Sequence, residues 1–217
     1  MMNFRAILKL VILTAVLGCL YASAGHAESR VDIGATITDE GLRGFYLSVG
    51  DYYRVPEREV VIIRDRGVPY YESPVVFYIA SLAHVAPGVV IDLRLSGRSW
   101  MDITLHFGLS PEIYYVPVKI VPGPPYGRAY GYFKKRPRKE WRKIVLSDDD
   151  VINLVNLRFT SEYYGYQPED VIHMRSGGKD FVGIHDNIRK EKKGRGRERE
   201  HGKFDDDKGQ GRGKGHK

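Results

Sequence analysis

Seven basic side chains crowd into ten positions, Lys134, Lys135, Arg136, Arg138, Lys139, Arg142 and Lys143, and Glu140 is the one acid among them. Tyr126, Tyr130 and Tyr132 stand just upstream. Cations interleaved with aromatics suit the capture of anions: charge neutralises phosphates, and rings stack on bases or sugars. These ten residues form the candidate anion-binding set. The expected partners are anionic envelope polymers or lipid head groups, with nucleic acid as the alternative. The plainer reading of the same segment is a solvated basic loop.

No other cluster supports a reaction. Asp148, Asp149 and Asp150 follow Ser147, where a helix start favours acid, and Asp205, Asp206 and Asp207 lie in a polar tail. Neither run has a partner for acid/base work. His84, His106, His173 and His185 show no paired ligand spacing, and Cys19 is the single cysteine. The glycines make no dinucleotide or phosphate-loop motif and no nucleophile elbow. A non-enzymatic protein without cofactor or metal is expected.

The N-terminus reads as an export signal. Arg5 and Lys9 precede the apolar run Leu10 to Leu20, and small residues end at Ala27. Cleavage there leaves Glu28 first, cleavage after Ala24 is the second choice with Gly25 first, and either leaves no thiol in the mature chain; a lipid-modified Cys19 is a third processing outcome. The remaining chain contains no segment apolar enough to span a bilayer. Net charge is +7, but Arg189 to Lys217 alone hold twelve Lys/Arg against six Asp/Glu. That stretch has one aromatic and no apolar period, so it is expected to be disordered.

What must position the basic cluster is a set of helices, and they repeat. Pro87 opens a short apolar-periodic stretch through Val90, Ile91 and Leu93 to Arg94, and Gly97 follows as a stop. Ser99 caps a second stretch, Trp100, Ile103, Thr104 and Phe107. Shifted by 81 positions, Pro168, Val171, Ile172, Met174, Arg175, Gly178 and Phe181 repeat the pattern, with Asp180 as the cap. A weaker copy holds Pro56, Val60, Val61, Ile63, Arg64 and Gly67, one residue out of step after its proline. The three arginines share a last-turn slot, where a cation favours the helix dipole.

Further helices are expected from near Thr38, with Leu42, Phe45, Tyr46, Val49 and Tyr53 as the apolar stripe, from Ser73-Pro74, and from Ser147 onward. Prolines and glycines between Tyr114 and Tyr132 argue for a short extended piece and then loop. The organisation expected is signal peptide 1–27, N-terminal helical repeat region 28–115, Pro/Gly/Tyr-rich and basic linker 116–146, C-terminal helical repeat 147–188 and disordered basic tail 189–217. The fold class is all-α, built from internally repeated short-helix pairs.

Leu93, Arg94, Gly97, Ser99, Trp100, Ile103, Gly108, Leu109 and Ser110 resemble the tri-helical helix-turn-helix of resolvases and some transcription factors. The resemblance covers about 25 residues and implies a recognition helix after the Gly-Leu-Ser turn. Pro111 suits a helix start there, while Pro117 limits its length. The repeat pattern as a whole resembles uncharacterised exported bacterial helical-repeat proteins, which imply location and architecture but no activity.

Overall fold

The computed structural model describes residues 39–206, with side chains to residue 193. The expected signal segment, Cys19 and residues 207–217 of the tail lie outside the described residues. Every regular element among those described is helical: α1 (Asp39–Tyr53), α2 (Glu57–Asp65), α3 (Ser73–Ala83), α4 (Pro87–Leu95), α5 (Trp100–His106), α6 (Gly127–Lys135), α7 (Asp148–Tyr164), α8 (Pro168–Ser176) and α9 (Phe181–Asp206). Short 3-10 turns cover Tyr70–Glu72, Pro111–Tyr114 and Arg138–Lys143.

The repeat is structural, and it is larger than the sequence pattern. Each unit is a long helix followed by a nine-residue helix: α1–α2, α3–α4 and α7–α8. Each long helix ends on a left-handed residue, Arg54 (φ 55), His84 (φ 56) or Gly165 (φ 73). The next N–H then reaches back to a small buried residue: Val55 donates to the Gly50 carbonyl at 2.9 Å, Val85 to Ala80 at 3.1 Å and Tyr166 to Ser161 at 3.1 Å. These bonds satisfy carbonyls that the helix end leaves unpaired.

The short helices stop in one way. Gly67, Gly97 and Gly178 have φ of 76, 88 and 90. Their N–H groups donate to the Arg64, Arg94 and Arg175 carbonyls at 3.0, 3.0 and 3.1 Å. Pro56 is the N-cap of α2, whereas Pro87 and Pro168 are the first residues of α4 and α8. The one-residue offset seen in sequence is therefore a displaced proline, with the helices themselves in step. Three residues beyond each glycine stands an aromatic: half-buried Tyr70, and Trp100 and Phe181 at 0% and 4% exposure.

Arginine ties each of the two later turns together. Arg94 donates to the Arg98 carbonyl at 3.0 Å and lies 4.7 Å over the Trp100 ring. Arg175 donates to the Lys179 carbonyl at 3.1 Å and lies 5.0 Å over Phe181. Arg94 also forks onto buried Glu72 at 2.9 and 2.8 Å and reaches Asp148 at 2.6 Å. Those two carboxylates hold its guanidinium firmly protonated, raising its pKa. The other Asp148 oxygen accepts the Trp100 N–H at 2.8 Å. One arginine thus joins the turn before α3, the end of α4 and the start of α7.

Helix α7 is the axle. It packs against α1, α3, α5, α8 and α9, and every residue from Asp150 to Leu157 is buried, as befits a helix surrounded by others. The Asn156 amide donates to the Ile152 carbonyl one turn back and to the Tyr71 carbonyl before α3, each at 2.9 Å. The expected capping box is present, with Asp150 N–H donating to Ser147 Oγ at 3.2 Å and Ser147 N–H to Asp150 Oδ2 at 3.0 Å. His185 of α9 is buried beside Phe45 and hydrogen-bonds Tyr164. Burial and the Arg189 charge push its pKa down to about 4, so it is neutral.

Three expectations need correction. Residues 116–146 are not a linker: Val116, Tyr126, Ala129, Tyr130, Phe133, Trp141, Ile144 and Leu146 belong to the core. Residues 127–131, expected as loop, open helix α6 (Gly127–Lys135); Pro125 precedes it and Pro137 follows it, so no proline interrupts it. Tyr114 ends a 3-10 turn, and no strand follows among the described residues. Helix α9 starts in the last expected repeat and its range extends to Asp206. Within it Lys192 donates to the Tyr164 carbonyl at 3.1 Å, a contact that composition alone does not show.

Trp100→Ala should cost about 3–5 kcal/mol, the usual loss for a large core aromatic. Gly97→Ala should cost about 1–2 kcal/mol from the left-handed backbone alone, since a Cβ there meets nothing within 4 Å. Urea unfolding monitored by circular dichroism measures both. Losses at both sites as small as ordinary surface changes would contradict the shared-turn architecture.

Candidate anion-binding site

The basic cluster sits on an ordered platform. Tyr126, Ala129, Tyr130 and Phe133 recur at helical spacing and turn one face of α6 into the core. Lys134 and Lys135 then fall in the last turn, where the helix dipole favours cations. Arg136 and Pro137 are extended, with ψ of 140 and 148, and the chain coils again as the Arg138–Lys143 3-10 turn.

Trp141 anchors that second turn. It is 8% exposed, and its indole N–H is shared between the Phe133 and Arg136 carbonyls, each at 3.1 Å. These are carbonyls at the end of α6, so the indole caps the helix that carries the first cations. Its ring lies 4.9 Å from Phe133 and 4.7 Å from Tyr115. A 3-10 turn brings residues three apart into line; accordingly Arg138 lies 5.1 Å over the Trp141 ring.

All seven predicted cations are exposed. Among the described residues none of them is in an ion pair. By contrast Arg128, six residues before Lys134, is committed to Asp150 at 2.9 Å and also bonds Ser147. That contact fastens the start of α6 to the start of α7.

The predicted tyrosines are not a stacking surface. Tyr126 is fully buried, and Tyr130 is 8% exposed with its hydroxyl donating to the Val116 carbonyl at 2.7 Å. Burial drives both phenol pKa values upward. Tyr132 alone of the three is half-exposed. The helical period Tyr126, Ala129, Tyr130, Phe133 was the available signal, obscured by the prolines just before it. Trp141, whose anchoring role the sequence reading missed, carries no local motif that marks it as a cap.

A groove of ≈ 330 Å³ runs between the irregular 115–122 segment and α6, lined by Tyr115, Ile120, Val121, Phe133, Lys134 and Trp141 among others. A larger concavity of ≈ 520 Å³ between α1 and α2 sets Asp39 and Glu57 beside Arg43 and Arg64 and so offers no charge preference. The three repeat arginines do not converge on one site: Arg64 pairs with Asp65 at 2.9 Å, and Arg94 and Arg175 close their own turns.

The recognition element implied by the helix-turn-helix resemblance has a different form. After α5 and Gly108 the chain makes the four-residue 3-10 turn Pro111–Tyr114, in which Pro111 and Tyr114 are buried. Tyr114 shares a hydrogen bond with Thr104 at 2.5 Å. Among the described residues, no three His, Cys, Asp or Glu are grouped to hold a metal ion. No helix described there is long and apolar enough to cross a membrane. Compared with family models, curated proteins and solved structures, the chain matches none.

Proposed function

We propose that this chain is an exported, non-enzymatic helical module that binds anionic surfaces of the cell envelope through the Lys134–Lys143 ledge. The observation that carries this reading is seven exposed cations, unpaired among the described residues, on a platform that Trp141 and the buried face of α6 hold in place. Cations fixed in advance lose less freedom on binding than cations on a floppy loop. Each Lys or Arg near an anionic bilayer contributes about 1 kcal/mol, and the attraction decays within a Debye length. Export is supported by the Arg5 and Lys9 flank, the Leu10 to Leu20 apolar run and the small residues up to Ala27.

Two measurements test the two halves. Replacing all seven cations by Gln in the full chain should lower binding to anionic vesicles by more than about 100-fold at low salt and flatten its salt dependence. Wild-type binding in that variant would assign the electrostatics to residues 189–217 instead. Stronger, salt-sensitive binding to single-stranded DNA than to vesicles would favour the nucleic-acid reading. N-terminal sequencing of fractionated protein should begin at Glu28 or Gly25; a chain retaining Met1 in the cytoplasmic fraction would overturn export.

A further inference from the structure

The groove beside the basic ledge offers apolar surface where the ledge offers charge. Ile120 and Val121 line it from the irregular segment, and Phe133 and Trp141 line it from the platform. Its ≈ 330 Å³ lies near the small end of the ~300–1,000 Å³ usual for ligand pockets. That is room for one narrow chain, not for a whole lipid.

Gly131 keeps the groove open. It sits on α6 among the lining residues, and a Cβ built there meets nothing within 4 Å. Lys134 follows one helical turn later on the same face and also lines the groove. It is the first of the seven cations. Two valines in the same stretch of chain are left in water, Val121 at 80% and Val145 at 76% exposure. Valine is among the residue types most often buried in folded chains, so exposed valines on either side of a cation cluster suit an interface with a hydrocarbon layer.

We propose that the groove takes one acyl chain of an anionic phospholipid while the lipid phosphate rests among Lys134 and the neighbouring cations. The occupant is set by complementarity: apolar walls strip water from hydrocarbon, and a cation beside them neutralises the head group. This inference rests on the ledge reading and specifies its ligand. It gives the ledge a preference for lipid over polymeric anions that lack a chain.

The test uses the full chain and phosphatidylcholine vesicles containing phosphatidylglycerol, spin-labelled either at mid-chain or on the head group. Tryptophan emission reports contact. The chain has two tryptophans; Trp100 is fully buried, and Trp141 lines the groove. The expected result is a greater loss of emission with the mid-chain label, absent in Trp141→Phe. Gly131→Leu should abolish that loss, because it fills the groove, while salt-sensitive vesicle binding through the seven cations persists at reduced strength. The fold should tolerate it, since leucine is the better helix former, and Gly131→Ala, which leaves the groove open, should quench like the parent. Vesicle binding without mid-chain quenching, or quenching that survives Gly131→Leu, overturns the groove and leaves the ledge standing. Failure to bind these vesicles at low salt overturns both.

Discussion

An arginine in the last turn of a short helix lies across the turn that follows, bonding a carbonyl four residues on and covering an aromatic ring two residues beyond that. Arg94 does this over Trp100, and Arg175 does it over Phe181. The geometry needs a helix that stops abruptly, hence a left-handed residue at Gly97 and Gly178. Once the stop is fixed, the aromatic is delivered into the core, and the next helix starts at a set angle. Arg94 adds two carboxylates from elsewhere in the chain, Glu72 and Asp148. The position of α7, and of all that packs on it, depends on that clamp.

The ledge is an outgrowth of the same core. Arg128 secures the beginning of α6 to Asp150, at the capped start of α7. The aromatic face of α6 anchors its length, and Trp141 closes its end. Only after those demands are met do the cations emerge, on a last helical turn and a 3-10 turn that face water. Unpaired charge at this density repels itself. The folded platform tolerates it because every member is solvated and one, Arg138, is spread over an indole ring.

The repeat was legible because its markers are backbone constraints. A proline at a helix start, a glycine at positive φ and an apolar pair between them leave a trace that survives substitution of everything else. The long helices repeat equally well in space but not in letters. Their left-handed stops are Arg54, His84 and Gly165, three different residue types, so no single letter marks the position. The basic residues were legible as a cluster, whereas their mounting was not. Prolines at 117, 122, 124 and 125 mask the helical period just beyond them. Tyrosine is ambiguous in the same way, since its ring is as much core as its hydroxyl is surface. Tyr126 and Tyr130 went inward, and Tyr132 stayed at the boundary.

The most direct test of this account is where an anionic surface touches the folded chain. Backbone amide resonances of the full chain, titrated with phosphatidylglycerol nanodiscs, locate that contact residue by residue. The account predicts the largest shift changes and line broadening from Lys134 through Lys143, with the Arg94 and Arg175 turns unmoved. Perturbations confined to residues 189–217, with Lys134 to Lys143 silent, would contradict it.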